Sequence, residues 1–493
     1  MWTPVNRLSP QDATFYYRDE EGSTTHLGSL LVLERSATHL EYHRLLATVE
    51  SRLGSVPRYR QRVREVTFGL ARPVWVDDND FDITYHVRRS ALPTPGTDDQ
   101  LHDLVARLMS RPLDRHRPLW EMYLVEGLAD NRMAVLTKTH RALVDGRDAL
   151  EINQVIVDDE PVHPETPQDL WLPDAEPSSG ALVVHAIADV VTRPWELIET
   201  VRSAPVARVA SAPVSTVTSV VTGSLRRIGS VMQLATDPAP DSPLNGATTG
   251  TRRFTVASVP AVRCLQIARA HDCAVNDVVL AAIAGALRRW LLSRDLAVDA
   301  HATVRVMVPL SAYTAGVEAG STKSDELSSD AEWMAEGLRG FVTDLPVGEP
   351  NPTVRLSQIA HLTERHSHST RRMSMGTRAW LPEFTVAATQ RVGPATFHAM
   401  SSRAAASMSG RSFNVPVSIA RGPGAPQYLA GNRITEIYPV PALVPQRALA
   451  IGLNSYNGEV FFAFNADRDI MWDLGAMTEF LAESFDELPV TTR

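Results

Sequence analysis

The stretch Met133-Ala-Val-Leu-Thr-Lys-Thr-His140-Arg141-Ala-Leu-Val-Asp145-Gly146-Arg-Asp-Ala-Leu150 decides how this chain is read. Its first part has the period-two character of a strand and predicts one that ends at His140. A short turn then reaches Asp145-Gly146 and a helix starts directly after it, with Gly146 giving the backbone room to turn. His140 and Arg141 therefore stand at a strand end, where a rigid scaffold commonly presents reactive groups. Taken alone, a strand-end His followed by Asp-Gly is more often structural than catalytic.

Working outward, strands and helices alternate up to residue 157, with strand-like runs at 27–34 and 73–76, so residues 1–157 read as one α/β domain. Proline-rich stretches follow, Glu160-Pro-Val-His-Pro-Glu-Thr-Pro and Leu172-Pro-Asp-Ala-Glu-Pro-Ser-Ser-Gly, and make 158–250 a linker with broken helical segments. A second α/β domain spans 251–493. Within it, the run from Val275 to Trp290 has helical spacing, with Asn276 or Asp277 placed to cap its start. Residues 303–310 read as a strand and the polar interval 316–330 as a loop. Residues 448–453 and 459–464 form a hairpin across Ser455-Tyr-Asn-Gly, and 473–488 has the spacing of a closing amphipathic helix.

The chain has 493 residues and is 44% hydrophobic, enough for two or three packed domains, which excludes a small disulfide scaffold and a disordered tail. With 48 basic against 57 acidic residues it carries a net charge of −9, so no basic excess is available for a nucleic-acid partner. Two of the basic residues, Lys138 and Lys323, are lysines and the rest arginines, a skew that fits a GC-rich genome better than a mechanism. Two cysteines, Cys264 and Cys273, make a disulfide framework or a multi-cysteine zinc site unavailable. No secretory signal opens the chain, and the expected location is cytoplasmic. Val201–Thr236 holds four arginines and no acidic residue. It cannot span a bilayer; it either packs on its own protein or lies on an anionic membrane surface.

The central stretch resembles the His-His-x-x-x-Asp-Gly motif of the bacterial wax ester synthase/diacylglycerol acyltransferase family. Other stretches resemble the same family in the same order: Leu8-Ser-Pro-Gln-Asp-Ala-Thr-Phe, His26-Leu-Gly, Val56-Pro-Arg-Tyr-Arg-Gln-Arg, Phe81-Asp-Ile-Thr-Tyr-His-Val, Arg117-Pro-Leu-Trp-Glu, Ser242-Pro-Leu-Asn-Gly, Asn276-Asp277 and Tyr428-Leu-Ala-Gly. The resemblance implies two chloramphenicol acetyltransferase-like α/β domains with an inter-domain tunnel. Long-chain acyl-CoA enters as substrate, not as a resident cofactor, and the acceptor is diacylglycerol or a long-chain fatty alcohol, met in the cytoplasm or at the inner-membrane or lipid-droplet surface. In the family the second His of the motif is the general base, the Asp, here Asp145, braces the loop, and transfer is direct, without an acyl-enzyme. Asn276 and Asp277 match the Asn-Asp motif of the second domain, with a substrate-orienting role set against a plain helix cap.

One position departs from the pattern. The base lies four residues before the Asp, and four before Asp145 is Arg141. A guanidinium stays protonated up to pH of about 12 and offers no lone pair, so it cannot accept the hydroxyl proton. Losing a general base typically costs about 10²- to 10⁴-fold in rate. Three readings follow: His140 stands in as base, Arg141 binds a phosphate or carboxylate, or the chain is a silent relative that binds lipid or acyl-CoA without turnover. A second departure is Ser418-Ile-Ala-Arg-Gly-Pro-Gly, where relatives carry Ser-Asn-Val-Pro-Gly-Pro. Trp120 is expected to pack beneath the active-site strand.

Other chemistries find no support. The chain has no Gly-x-Ser-x-Gly elbow, Walker loop or His-Glu-x-x-His. Asp78-Asn-Asp-Phe-Asp82 opens like a calcium loop but has Ile83 and Arg89 where Gly and Glu belong. His366 and His368, two apart on a predicted helix, do not share a face, so no metal site is expected. Cys273 reads as a small hydrophobe sooner than as a reactive thiol.

Overall fold

The computed structural model describes residues 6–8, 12–13, 16–17, 26–34, 40–66, 71–144, 152–161, 171–182, 239–309, 340–373 and 413–490. The first half supplies β1 (His26–Leu33), α1 (Tyr42–Arg52), β2 (Gln61–Arg64), β3 (Val74–Asp77), β4 (Val87–Ala91), α2 (Asp98–Ser110), β5 (Trp120–Glu126), β6 (Met133–His140), α3 (Arg141–Val144), α4 (Ile152–Ile156) and β7 (Val157–Asp158). The second half begins with β8 (Arg252–Pro260), α5 (Ala261–Ala270), α6 (Val275–Ser293), β9 (Val304–Pro309), β10 (Gly340–Leu345) and α7 (Pro352–Met373). It continues with β11 (Val415–Arg421), β12 (Tyr428–Leu429), β13 (Asn432–Val440), β14 (Leu449–Tyr456), β15 (Glu459–Asp467) and α8 (Ala476–Asp486).

Two mixed sheets organise these elements. The first runs β4-β5-β6-β1-β13-β12-β7 and the second β10-β9-β11-β14-β15-β8, with β2 and β3 a separate pair. All eight residues of β6 are buried, as befits an inner strand with neighbours on both edges. The hairpin read across Ser455-Tyr-Asn-Gly is present: Tyr456 faces Glu459, and Asn457 and Gly458 take the left-handed φ values of 46° and 85° that a tight two-residue turn needs. The predicted helix at Val275 runs to Ser293 and is buried along most of its length, which makes it the core helix of the second half. Among the described residues no single helix is long and apolar enough to cross a membrane; α5 and α6 pass that test only as a pair bent by 100°.

Local signals explain α2. Thr97 accepts from the Gln100 N–H while Gln100 accepts from the Thr97 N–H, a reciprocal cap, and Asp98 and Asp99 complement the positive helix end. At the other end the buried Lys138 of β6 donates to Leu108 O at 3.0 Å and also to Arg111 O, so a cation closes the helix at its negative pole.

The sheets do not respect the division at 157 and 251. β13 enters the first sheet and pairs antiparallel with β1, Gly28 opposite Val440 and Leu30 opposite Tyr438, and β12 then joins β13 to β7. Phe254, Tyr456 and Phe461 of the second sheet join the core of the first half, where Tyr438 meets Phe461 edge to face at 5.1 Å. Nothing in the local pattern of 428–440 names the partner strand, because period two fixes which face is buried and not which neighbour is paired.

The proline-rich interval lacks regular structure over 171–178, as expected, yet it is docked. Glu176 pairs with Arg62 at 2.7 Å, Arg60 lies 5.0 Å from the Trp171 ring, and Leu182 is buried with Val66, Val74 and Val76. The intervals 201–236 and 316–330 lie outside the described residues, as do most of the predicted helical segments between 181 and 233.

Candidate active site

The motif stands where the sequence places it, at the end of β6, with one change. The helical turn α3 begins at Arg141 itself, before Asp145-Gly146, so strand alternation stops at His140 and does not govern where Arg141 points. Asp145 and Gly146 lie outside the described residues. His140 is 1% exposed and sits opposite His26 across the β1–β6 ladder, their rings 6.1 Å apart. Tyr16 meets the His140 ring at 6.4 Å, and the Arg115 guanidinium lies 3.8 Å from the Tyr16 ring.

A hydrogen bond to the next turn bears on the chemistry of His140. Its Nδ1 accepts from the Ala142 N–H at 3.0 Å, so the neutral ring carries its proton on Nε2. In that tautomer His140 presents a donor and not a base. Arg141, half-buried, opens α3 with a permanent positive charge.

Beneath the motif lies a polar and aromatic frame that sequence reading found only in part. Trp120 pairs with Thr139, and Leu119 O accepts the His140 N–H at 2.9 Å, so Trp120 is the buried packing residue expected, placed on the strand beside the active-site strand and not beneath it. The indole donates to Tyr59 O at 2.8 Å and stacks on His86 at 4.7 Å. His86 donates from Nδ1 to Trp120 O at 2.8 Å, the arrangement that leaves Nε2 as a buried lone pair without a partner. Burial pushes His86 down to about 4, against the Trp120 hydrogen bond, and the nearby Arg117 and Arg88 charges push the same way as burial. The Tyr59 hydroxyl accepts from the Ile152 N–H at 3.0 Å, and Asn153 Nδ2 donates to Thr137 Oγ1 at 3.0 Å. Tyr59 and His86 each sit inside a stretch quoted above for the resemblance, which was the only signal available for them.

Asn276 and Asp277 occupy the first turn of α6. Asp277 accepts from the Ala274 N–H through Oδ2 at 3.0 Å and from the Thr363 hydroxyl of α7 through Oδ1 at 2.7 Å, so its carboxylate caps α6 from within and ties it to α7. Asn276 is half-buried beside it. Asp277 also lines an open cleft of about 900 Å³ between α5, the start of α6 and α7, together with Arg269, Cys273 and His361. Burial, and then Asp277 and Asp272, push the Cys273 thiol up to about 11, which keeps it protonated and unreactive at neutral pH.

The remaining sequence features are structural. In the Asp78–Asp82 loop, Asp78 accepts from the Asp80 N–H and Asp82 from the Thr84 N–H, so these carboxylates make a turn and a helix cap. No group of three His, Cys, Asp or Glu side chains among the described residues is placed to hold a metal. The side chains of His366 and His368 are outside the described ones.

Comparison with known proteins agrees with this architecture. Residues 8–279 match the wax ester synthase/diacylglycerol acyltransferase catalytic domain, and residues 338–489 match the WS/DGAT C-terminal domain. The chain is 48% identical over 270 residues to a Mycobacterium tuberculosis protein named probable diacylglycerol O-acyltransferase tgs3, an alignment covering 55% of this chain and 97% of the relative. It is 30% identical over 492 residues to the probable diacylglycerol O-acyltransferase tgs1 of the same species, covering 98% and 96%. The wax ester synthase/diacylglycerol acyltransferase from Marinobacter aquaeolei VT8 superposes with a TM-score of 0.68 at 25% identity over 98% of each chain. A starter condensation domain of rhizomide synthetase shares the fold alone, with a TM-score of 0.52 at 11% identity. With both halves matched in order along one chain, this protein is a member of the wax ester synthase/diacylglycerol acyltransferase family of acyltransferases.

Proposed function

We propose that the chain transfers a long-chain acyl group from acyl-CoA to the hydroxyl of diacylglycerol, with a long-chain alcohol as the alternative acceptor. The single observation that carries this reading is the match of both acyltransferase domains along the chain. It favours turnover over silent ligand binding. The acceptor oxygen attacks the thioester carbonyl, the carbon–sulfur bond breaks, and the hydroxyl proton ends on the sulfur of free CoA. The reaction needs no resident cofactor, since the thioester itself supplies the activation.

Arg141 changes who moves the proton and not the overall balance. In the base position it supplies a positive charge and fork-shaped donors suited to a developing oxyanion or a CoA phosphate. His140 keeps its Nδ1 for the Ala142 N–H and supplies a donor at Nε2. Without a positioned base the proton leaves the acceptor oxygen late, so turnover is slow for this family.

Release of CoA thiol from a long-chain acyl-CoA in the presence of diacylglycerol tests the reading. The native protein should turn over, and Arg141→His should raise kcat by about 10²-fold or more, the value of a general base. No release by either form refutes it, and a native rate that Arg141→His leaves unchanged refutes the role given to Arg141.

The acceptor is water-insoluble, so the enzyme meets it at a membrane or lipid-droplet surface, with the arginine-rich, acid-free Val201–Thr236 segment as the contact. Deleting that segment should reduce sedimentation with anionic lipid vesicles; a folded deletion protein that binds them as before rules the contact out.

A further inference from the structure

Tyr59 is 1% exposed and lies in the short helical turn Pro57–Arg60, more than 80 residues from the motif in sequence. Two of its polar atoms nevertheless meet Trp120, the strand neighbour of Thr139, and the backbone at the start of α4. On the entry side its carbonyl accepts from Trp120 Nε1 at 2.8 Å, and their rings meet edge to face at 5.6 Å. Trp120 pairs in turn with Thr139, and the residue before it takes the His140 N–H. On the exit side its hydroxyl accepts from the N–H of Ile152, the first residue of α4, at 3.0 Å. Asn153, the next residue of α4, donates from Nδ2 to Thr137 Oγ1 of β6 at 3.0 Å.

We infer that Tyr59 is a positioning residue of the acyl-transfer reaction, fixing the separation between the strand end that carries His140 and Arg141 and the start of α4. The inference rests on the acyl-transfer reading above. A reacting centre misplaced by about 1 Å can lose about 10²-fold in rate, so one residue tied both to the neighbour of the strand end and to the start of α4 holds these elements in register, and loss of one tie relaxes that register.

Tyr59→Phe is the test, because it keeps the ring and the carbonyl tie to Trp120 and removes the hydroxyl that accepts from the Ile152 N–H. In the CoA-release assay it should lower kcat by about tenfold or more with the KM for acyl-CoA within about twofold of native, the split expected when geometry is lost and binding is kept. Amide hydrogen exchange should show Ile152 deprotected while amides in the middle of β6 keep their protection. A native kcat in Tyr59→Phe, or a raised KM with kcat unchanged, overturns the inference. So does unchanged exchange at Ile152. If the native protein releases no CoA, the acyl-transfer reading has failed, and the exchange measurement still decides whether the anchor exists.

Discussion

His140 and Arg141 are neighbours whose chemistry diverges at the level of single lone pairs. His140 has one to offer and spends it on the Ala142 N–H; Arg141 has none. A buried lone pair without a partner lies elsewhere, on Nε2 of His86, between the rings of Phe81 at 5.3 Å and Trp120 at 4.7 Å. This residue gives the protein a pH dependence whose sign can be worked out. In the folded chain His86 titrates at about 4, in the unfolded chain near 6.5, so the unfolded state binds the extra proton between these values. Stability is therefore full above pH 6.5 and declines as pH falls toward 4, by about 3 kcal/mol from this residue at about 1.4 kcal/mol per unit. Urea midpoints at pH 7 and pH 5 should differ in the native protein, and His86→Phe should shrink the difference. An identical pH dependence in the variant would assign the effect to other groups.

At the scale of elements, helices are placed by contacts at their ends and at one small residue. Lys138 and the Thr97–Gln100 cap hold the two ends of α2, and Asp277 ties the start of α6 to α7. Where α6 crosses α7 and α8 the chain carries Gly285. A Cβ there would stand 2.6 Å from Ser484 Oγ and 2.7 Å from Nη2 of Arg355, which is itself 1% exposed. Two effects compete in Gly285→Ala. Helix propensity gains about 1 kcal/mol, while overpacking a tight contact costs about 1–3 kcal/mol. Because the buried Arg355 guanidinium has little room to retreat, overpacking wins, and the variant should melt below the native protein by thermal denaturation. A higher melting temperature would show that Arg355 and Ser484 yield easily.

At the scale of the whole molecule, the chain is two α/β halves that share strands. Most elements were legible: the strand ending at His140, the α6 helix, the Asn457-Gly458 hairpin and the closing helix each follow from period or turn chemistry that a dozen residues contain. Trp120 was legible as a packing residue because a large apolar side chain beside a buried strand has few other fates. What sequence missed has one character. The insertion of β13 beside β1, the docking of Trp171 and Leu182 and the reach of Tyr59 to Ile152 all depend on residues far apart in the chain. The roles of Asn276 and Asp277 were readable only as a pair of alternatives, and the carboxylate of Asp277 is engaged as a cap. By itself the sequence determined the class of fold, the family it resembles and the replacement of the base by Arg141, because periodicity, motif order and side-chain identity are properties of the chain. Only the tertiary structure decided which strands pair and which side chains brace the motif, because these depend on partners that sequence separation hides, and the tautomer of His140, because its bond to Ala142 exists only where the backbone turns into α3 at Arg141.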